Sequence, residues 1–368
     1  MKVAIDVHSL GAQAGGNETF YRQLLQGLSK DDSPNQYILL YTRPDAPSVL
    51  ELDRRFDWIH VPEHPVRRNA FSIPAVLRAT KPDVFHCQYI VPLGTGCKTV
   101  VTIHDLAHER YPELSPRMEA LRMRLLVPWS ARRADRIVTV SECSAHDIER
   151  IYHIPRDKIT VAYQSAEVNF RPRDKAQSRD HIARVYSIHT PFILYVGRVQ
   201  ARKNVPRLIE AFSTVRVRHP NMRLVIVGKP DLHYDKVQKK LRELRLEDAV
   251  ILPGYVAAED LPLFYNASEI CVFPSIFEGF GLPVMEGLAS GVPTLTSRRT
   301  SLEEIAGDGA LFVDPLNVNS IAEGILHLLE NPGLQHELVE RGLRRSACFS
   351  TAGFAAKILE VYRSVNQS

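Results

Sequence analysis

Short apolar runs rich in β-branched residues alternate along this chain with longer stretches whose apolar positions recur every three or four residues. The short runs predict strands, and the longer stretches predict amphipathic helices. Because two strands joined through a helix need a crossover connection, the alternation predicts an α/β fold with mostly parallel sheets covered by helices on both faces. The predicted strands are 2–7, 37–42, 58–61, 83–86, 99–103, 136–140 and 159–162 in the first half, and 192–197, 223–228, 250–252, 270–273 and 294–296 in the second.

The alternation pauses between about Gln164 and Pro191, where polar and charged residues dominate. We therefore predict two Rossmann-like, doubly wound domains that face each other across a cleft. In open parallel sheets ligands bind at the carboxyl ends of the strands, so the residues after each strand are candidates for function. The predicted parts are an N-terminal domain over 1–168, a linker over 169–190, a C-terminal domain over 191–350, and an amphipathic terminal helix over 351–368. The apolar face of this helix can dock on either domain, the N-terminal domain being one of the two candidates, through Phe354, Ile358, Leu359 and Tyr362.

The composition is that of an ordinary globular protein, because 45% of the residues are hydrophobic and 24% are charged. A total of 46 Lys and Arg against 42 Asp and Glu is too mild a basic bias for nucleic-acid binding. The five cysteines are widely spaced and form no C-x-x-C pattern, which predicts reduced thiols and neither disulfides nor a zinc site. The sequence shows no signal peptide and no apolar run long enough to span a membrane, so we expect a cytoplasmic protein whose membrane contacts are peripheral.

Glycines follow the first predicted strand at Gly11, Gly15 and Gly16, ahead of a helix predicted to begin near Glu18. Glycine lets backbone amides approach a phosphate closely, and a helix N-terminus favours an anion. The spacing does not match G-x-G-x-x-G, which disfavours a nicotinamide or flavin site. On this segment alone, a structural turn and a phosphate contact are equally good interpretations.

A basic loop follows the strand predicted over 192–197. It contains Arg198 and Lys203, and it ends at Asn204, which is a good N-cap for the next helix. A guanidinium and an ammonium group beside a helix N-terminus can clamp a pyrophosphate. A solvated basic loop is an equally good interpretation of this segment by itself.

The most specific segment runs from Phe273 to Glu286, after a buried strand and into a helix. Pro283 suits the first helical position, and a glycine-rich turn before it lets backbone amides face a ligand at the positive end of the helix. Glu278 and Glu286 lie eight positions apart. Ionised carboxylates accept hydrogen bonds, so the pair suits two sets of sugar hydroxyls, whereas a helix-dipole role would explain Glu286 but not the whole run.

Together these segments resemble the retaining group 1 glycosyltransferases of the GT-B fold. Glu278 and Glu286 match the E-x7-E motif of that family, Gly197–Arg198 with Lys203–Asn204 match its G-R-x4-K-N motif, and the resemblance extends over nearly the whole chain. It implies transfer of a hexose from a UDP-glucose-like or GDP-mannose-like donor onto a hydroxyl group of a saccharide or lipid-linked acceptor, without a cofactor.

The resemblance also implies roles for individual residues. The Gly16 amide in the Gly15–Gly16 loop would hold the diphosphate together with Arg198 and Lys203, while Glu278 would hold the donor sugar and Glu286 the ribose. The implied donor site also contains Gly197, Gly279, Phe280, Gly281 and Leu282, with Tyr255 and Val256 near the nucleotide base.

His104 and Asp105 follow the strand predicted over 99–103. A lone histidine is at least as often a satisfied structural residue as a functional one. The resemblance implies that His104 contacts the donor sugar and that Asp105 shapes the acceptor side. Because the sequence contains no Asp-x-Asp, we expect a reaction without metal, in which Arg198, Lys203 and helix N-termini stabilise the charge on the leaving diphosphate.

Two alternatives use the same residues: a nucleotide-sugar epimerase or hydrolase on the same architecture, and a non-catalytic protein that binds sugar nucleotides. A separate feature is the stretch 117–136, predicted to be helical, which carries six arginines interleaved with apolar residues. A solvated helix face explains this stretch. Peripheral contact with a membrane or a lipid-linked acceptor is the sharper hypothesis.

Overall fold

The computed structural model of the protein describes residues 1–12, 15–114, 116–229 and 234–367. The chain divides into two compact units: unit 1 comprises Met1–Gln164 and Ser350–Ser368, and unit 2 comprises Ser165–Phe349. The division between Gln164 and Ser165 falls where the alternation of apolar patterns pauses.

Unit 1 is built on a seven-stranded parallel sheet with the order β3-β2-β1-β4-β5-β6-β7. Its central strands are almost continuously buried, as expected where helices cover both faces of a parallel sheet, whereas the two edge strands are partly exposed. All seven strands were predicted to within a few residues. They are β1 (Lys2–Asp6), β2 (Gln36–Tyr41), β3 (Phe56–His60), β4 (Val84–Gln88), β5 (Lys98–Thr102), β6 (Arg136–Thr139) and β7 (Ile159–Val161).

Unit 2 is built on a six-stranded parallel sheet with the order β10-β9-β8-β11-β12-β13. The last strand, which pairs with β12, was not predicted, although β7, with the same length of three residues, was. The strands are β8 (Phe192–Val196), β9 (Arg223–Val227), β10 (Val250–Gly254), β11 (Ile270–Phe273), β12 (Thr294–Ser297) and β13 (Leu311–Val313).

Helices fill most of the connections between strands, which confirms the predicted pair of doubly wound α/β units. In the described part of the chain, no helix is long and apolar enough to cross a membrane. The α-helices are α1 (Gly16–Ser29), α2 (Pro65–Arg67), α3 (Ile73–Thr80), α4 (Ala107–Arg110), α5 (Arg117–Arg133), α6 (Glu142–Tyr152), α7 (Lys175–Tyr186), α8 (Val205–Arg218), α9 (Tyr234–Leu244), α10 (Leu261–Ala267), α11 (Leu282–Ala289), α12 (Ser301–Ala306), α13 (Val318–Leu329), α14 (Pro332–Ser346) and α15 (Thr351–Gln367), with a π-helical turn at Arg68–Ser72 and 3-10 turns at Ala46–Ser48, Pro112–Leu114, Arg156–Lys158 and Ala201–Lys203.

The segment predicted as a linker, 169–190, belongs to unit 2 and contains α7. Arg179 forms an ion pair with Glu269, and His181 Nε2 lies 2.8 Å from Asp260 Oδ1. These contacts attach α7 to its own unit. The polar composition of the segment therefore marks a surface helix and not a linker.

The terminal helix α15 packs within unit 1, one of the two locations that its amphipathic pattern left open. Phe354 and Tyr362 are buried, and the Tyr362 hydroxyl lies 2.6 Å from His86 Nδ1 on β4. Gly27 of α1 allows a close approach, since a Cβ atom there would lie 2.2 Å from the Cβ of Ala355. The last helix of the chain thus completes the core of the first unit.

Two predicted helix bounds were wrong. The helix after β1 begins at Gly16 and not near Glu18, because Gly15, with φ of 63°, occupies the N-cap position. The helix predicted over 117–136 ends at Arg133, since Ala134 takes an extended ψ of 147°. Arg136 is therefore the first residue of β6.

Candidate functional site

The strand order of unit 2 reverses between β8 and β11, which is where ligands bind in open parallel sheets. The basic loop 197–204 follows β8, and the segment 274–281 follows β11. Parallel neighbouring strands bring their carboxyl ends to one edge of the sheet. The two segments singled out from the sequence are thereby placed side by side.

Glu278 is the most heavily bonded side chain at this edge. Its Oε1 accepts from Lys203 Nζ at 2.5 Å and from Ser275 Oγ at 2.6 Å, and its Oε2 accepts from an Arg202 Nη1 group at 2.8 Å. The residue is only 5% exposed. Burial alone would raise the pKa of the Glu278 carboxyl, but the charges of Arg202 and Lys203 lower it to about 2. Glu278 is therefore ionised throughout the physiological range.

Arg202 was not assigned a role from the sequence, although it lies inside the basic loop. Its Nη1 also donates to the Phe277 carbonyl at 3.0 Å, and its own carbonyl accepts from the Ile276 amide at 2.7 Å. These bonds join the β8 loop to the β11 loop. The sequence does show a second cationic residue directly before Lys203, at a position whose residue type the family motif does not specify.

The turn that leads into α11 contains Gly279, Phe280 and Gly281, all of which are buried, followed by Leu282 as the first helical residue. Gly281 has φ of 103°, and a Cβ atom there would lie 2.2 Å from Leu302 Cδ2. Only glycine fits this position without strain. Because Gly281 has no Cβ atom, the backbone of the turn can pass close to Leu302 directly before the N-terminus of α11.

The same turn is held from α12. Ser301 Oγ lies 2.8 Å from the Glu278 carbonyl and 3.2 Å from the Phe280 carbonyl, and it donates to them. These contacts direct the carbonyls of the turn into the protein. The helix N-terminus that follows carries amides without intrahelical partners, which is a suitable environment for an anion.

Glu286 lies within α11 and is half-buried. Its Oε2 accepts from the Tyr265 hydroxyl at 2.8 Å. Burial raises the pKa of the Glu286 carboxyl to about 7, a shift that the Tyr265 hydrogen bond opposes and the charge of Glu167 increases. The two glutamates of the motif thus differ: Glu278 is fixed as an anion, and Glu286 exchanges its proton near neutral pH.

At the end of β8 the backbone is unusually crowded. Gly197 has φ of 151°, and a Cβ atom on the neighbouring Gly228 would lie 2.1 Å from the Gly197 carbonyl oxygen. Arg198 follows directly and is exposed. Beneath the loop, Lys203 Nζ lies 5.1 Å from the centroid of the Phe273 ring, which adds a cation–π contact to its ion pair with Glu278.

Asn204 occupies the N-cap position of α8, but its side chain does not cap the helix as predicted. Its backbone is left-handed, with φ of 65°, and its Nδ2 donates to the carbonyls of Pro274 and Pro315 at 3.0 and 2.6 Å. Because the left-handed backbone turns the side-chain amide of Asn204 away from α8, this amide bonds to the neighbouring loops and not to the helix. Asn204 therefore fixes the β11 loop in place.

Tyr255 and Val256 follow β10, the strand at one edge of the unit 2 sheet. Val256 is buried, whereas the Tyr255 ring is 56% exposed. Lys229 Nζ lies 5.4 Å from the Tyr255 ring centroid. The pair offers an exposed aromatic face and a cation close to it.

In unit 1 the strand order reverses between β1 and β4, and Gly15 and Gly16 follow β1. Gly15 is the N-cap of α1, and Gly16 begins the helix; both are exposed. Gln13 and Ala14, which also belong to the predicted glycine loop, lie outside the described residues. The exposed start of α1 has the geometry expected of an anion contact.

His104 follows β5 and is only 7% exposed. Its ring packs edge-on against Phe20 at 4.9 Å, and its Nε2 has no hydrogen-bond partner among the described residues. Burial lowers the pKa of His104 to about 4, against an opposing effect of Asp105. His104 is therefore a neutral ring with one unsatisfied polar atom, whereas His86 bonds Tyr362 and Thr102.

Asp105 lies beside a pocket of about 200 Å³ that is formed within unit 1. Its Oδ1 accepts from the Ala107 amide at 3.0 Å, which fixes the entry into α4. The second polar wall of the pocket comes from Glu119. The lining residues are Asn17, Tyr89, Asp105, Ala107, His108, Glu119, Ala120 and Met123. Asn17 and Tyr89 were not predicted, because each is far from Asp105 along the chain.

Within the residues that the structure describes, no group of three His, Cys, Asp or Glu side chains is arranged to hold a metal ion. The positive charge found at the candidate site is that of arginine and lysine.

Two family models match the chain. The model of glycosyl transferases group 1 matches residues 179–345, and the model of Glycosyltransferase Family 4 matches residues 14–170. Among curated proteins, the O-antigen chain mannosyltransferase B of Escherichia coli is 30% identical over 99% of this chain and 92% of its own length. The serotype-specific mannosyltransferase WbdA of Escherichia coli is 30% identical over 74% of this chain. The matched part covers only 34% of the length of WbdA, which is a larger protein.

Among solved structures, the sucrose-phosphate synthase of Thermosynechococcus elongatus superposes with a TM-score of 0.83 over 99% of both chains. The sequences are 20% identical, so this likeness concerns the fold. It supports the predicted GT-B architecture of two Rossmann-like domains.

Proposed function

The chain belongs to the group 1 glycosyltransferase family, and from this premise we propose that it transfers a hexose from a nucleoside diphosphate sugar with retention of configuration and without metal. Its acceptor in this proposal is a hydroxyl group of a saccharide or of a lipid-linked saccharide. The observation that carries the proposal is the buried Glu278 carboxylate, ion-paired with Arg202 and Lys203 at the strand reversal of unit 2.

The charges at this edge suit a diphosphate next to a sugar. Arg202 and Lys203 carry two positive charges against the single negative charge of Glu278, and Arg198 adds a third cation at the end of β8. With the N-terminus of α11, these groups would stabilise the charge that grows on the leaving diphosphate, an effect that contributes about 3–4 kcal/mol per well-placed donor in comparable sites. Glu278, as a permanent anion, would accept hydrogen bonds from donor-sugar hydroxyls.

The remaining predicted residues would contact the ribose, the base, the phosphates and the sugar of the donor. Glu286 would accept from the ribose hydroxyls when ionised, and the exposed Tyr255 ring would lie against the base. The Gly16 amide at the start of α1 would contact phosphate. The unsatisfied Nε2 of His104 would gain a partner from a hydroxyl group of the donor sugar.

In the proposed reaction the acceptor hydroxyl attacks the anomeric carbon on the face from which the diphosphate departs. The leaving phosphate oxygen takes the acceptor proton, so no separate base is required. The protein contributes orientation and electrostatic stabilisation. The alternatives of epimerase, hydrolase or non-catalytic binder are disfavoured, since the named relatives are transferases.

The transferred sugar in our proposal is mannose, because two relatives that match the chain are named mannosyltransferases, one of them for the O-antigen chain. We accordingly propose a role in polysaccharide assembly. An acceptor joined to a lipid would bring the enzyme to a bilayer, and the proposal includes peripheral contact with a membrane.

Titration calorimetry with GDP, UDP and ADP in the presence of EDTA tests the donor site. We expect one nucleotide to bind, and its Kd to rise at least about tenfold in Arg198→Ala and in Glu286→Ala, since each change removes a charged hydrogen bond. Arg184→Ala, on the exposed face of α7 in the same unit, is the control and should leave the Kd unchanged. If no diphosphate binds to the folded wild-type chain, the proposed donor site is wrong.

A further inference from the structure

Helix α5 exposes a row of large apolar side chains to solvent. Met118 is 78% exposed, Leu121 54% and Leu125 66%, and Leu126 and Trp129 are more than one third exposed. Their spacing of three and four positions places them on one side of the helix. We call these five residues the α5 stripe. A contiguous exposed apolar row of this size marks a contact surface more often than a bare surface.

The stripe is not needed for the packing of α5 itself. The opposite side of the helix buries Ala120, Val127, Ser130 and Ala131 in unit 1, and the Ser130 hydroxyl accepts from the Val91 amide at 3.0 Å. The helix is thus anchored through its small residues. The large apolar residues face away from the core and contribute nothing to it.

The charge of the helix is strongly positive. Helix α5 contains five arginines and one acidic residue, Glu119, while the whole chain contains 46 Lys and Arg against 42 Asp and Glu. Without α5, the chain would hold 41 of each, so the helix accounts for the entire net charge of +4. Arg117 and Arg122 form no ion pair with any described residue, and the Arg133 guanidinium lies 5.3 Å from the Trp129 ring centroid.

An apolar row flanked by unpaired arginines is complementary to an anionic bilayer surface. Leucine, methionine and tryptophan can enter the boundary between head groups and acyl chains, while arginines remain at the level of the phosphates. A second copy of the chain is the poorer occupant. A two-fold contact of the stripe with itself would place five arginines opposite five arginines.

Helix α5 also forms one wall of the unit 1 pocket. Glu119, Ala120 and Met123 line it together with Asp105 and Tyr89. Tyr89 has a left-handed backbone, with φ of 57°, a conformation that is costly for a bulky residue. Helix α5 therefore carries the stripe on one side, and with other residues it borders a pocket rich in hydrogen-bonding groups.

From these observations we infer that the α5 stripe docks on an anionic lipid surface and that the pocket it borders receives the sugar head of a lipid-linked acceptor. The inference rests on the proposed transferase function, because a pocket with two carboxylates suits sugar hydroxyls only if the chain uses a saccharide acceptor. Docking itself requires neither donor nor acceptor to be present. It can therefore be measured separately.

Co-sedimentation of the full chain with phosphatidylcholine vesicles, with and without phosphatidylglycerol, tests the docking. We expect binding only with phosphatidylglycerol, and loss of binding on adding salt. The double variant Arg117→Gln/Arg122→Gln should bind about 30-fold more weakly, from the contribution of two basic residues near an anionic surface. Leu125→Glu should weaken binding as well, because it places a negative charge within the apolar stripe.

Val217→Glu is the matched control. Val217 is 83% exposed on α8 of unit 2 and lies between Arg216 and Arg218. The variant therefore makes the same kind of change, an exposed apolar residue between arginines replaced by Glu, at a site outside the α5 stripe. This variant should bind vesicles like the wild type, and all variants should keep the wild-type melting temperature and nucleotide affinity. Equal binding by the α5 variants, equal binding to neutral vesicles, or a self-association that Leu125→Glu abolishes would each overturn the inference.

The two proposals fail in different ways. Nucleotide binding without vesicle binding would refute the docking and leave the proposed function standing. Vesicle binding without nucleotide binding would refute the proposed function and with it the assignment of the pocket.

Discussion

Arg202 Nη1 lies 2.8 Å from Glu278 Oε2, although the two residues are 76 positions apart in the sequence. The same nitrogen bonds the Phe277 carbonyl, so the guanidinium holds both the backbone and the carboxylate of the β11 loop. Lys203 reaches the other carboxylate oxygen. Glu278 is consequently fixed in orientation before any ligand binds, which is the condition for electrostatic preorganisation.

Arg202→Met should lower kcat by about 10–100-fold, because Glu278 would keep its charge through Lys203 but lose the group that orients it. Nucleotide affinity should fall less than kcat. Steady-state kinetics and calorimetry on the same preparation would separate the two effects.

Arg218→Met is the matched control for Arg202. Arg218 lies in the last turn of α8, and its guanidinium pairs with Glu330 and not with Glu278. It should retain near wild-type kcat. A kcat for Arg202→Met that equals the control would show that Arg202 has no positioning role.

Glu286 should make donor affinity depend on pH. Burial raises the pKa of Glu286 to about 7. Only the ionised carboxylate can use both oxygens to accept hydrogen bonds from the ribose hydroxyls. The Kd of GDP-mannose should therefore increase about tenfold from pH 8 to pH 6, as the ionised fraction falls. A nucleotide sugar is the right probe, because its esterified phosphate has no proton to lose in this range. Glu286→Gln should remove the pH dependence.

Tyr265→Phe provides an internal check on the direction of this effect. The Tyr265 hydroxyl favours the ionised carboxylate, so its loss should raise the pKa of Glu286 further and shift the midpoint of donor binding to higher pH. A midpoint that moves to lower pH, or a pH dependence that persists in Glu286→Gln, would assign the titration to another group.

His104→Ala should lower kcat by about 10–100-fold while leaving the Kd of the nucleoside diphosphate unchanged, because the ring is expected to contact the sugar and not the nucleotide. The exposed His64 supplies the control variant His64→Ala in the same unit. If His104→Ala weakens diphosphate binding as much as it slows turnover, its role is structural or lies at the nucleotide.

Gly281→Ala should destabilise unit 2 by about 2–4 kcal/mol, from the strain of a left-handed alanine and the overlap with Leu302. Gly333→Ala in α14 is the control, since its Cβ would meet only Asn331 Oδ1 at 3.5 Å, and should change stability by less than about 1 kcal/mol. Urea unfolding of both variants measures the difference. Equal stability would show that the turn adapts without cost.

The sequence predicted the two parallel sheets because most strands are short apolar runs bounded by polar residues. The exception was Leu311–Val313, a three-residue run between two helices that was not singled out. The bounds of α1 and α5 were missed because they depend on the backbone angles of Gly15 and Ala134, which composition does not reveal. The supposed linker was missed because the polar surface of α7 resembles loop composition.

At the candidate site, the motif residues Lys203 and Glu278 were identified from their spacing, and the structure brings them together. Arg202, Ser275 and Tyr265 were not identified, since their contacts with the two glutamates depend on the tertiary path of the chain. The different protonation of Glu278 and Glu286 was equally hidden. It arises from neighbours that are distant in sequence or lie on other elements.

In our proposal Glu278, held by Arg202 and Lys203, serves glycosyl transfer from a nucleotide sugar. The most direct test is NMR analysis of the products formed from GDP-mannose and short mannoside acceptors in EDTA, with the wild type and Glu278→Gln. We expect an α-linked mannoside from the wild type and at least about 100-fold less product from the folded variant. A β-linked product would rule out retention of configuration, and undiminished turnover in Glu278→Gln would rule out the proposed role of Glu278.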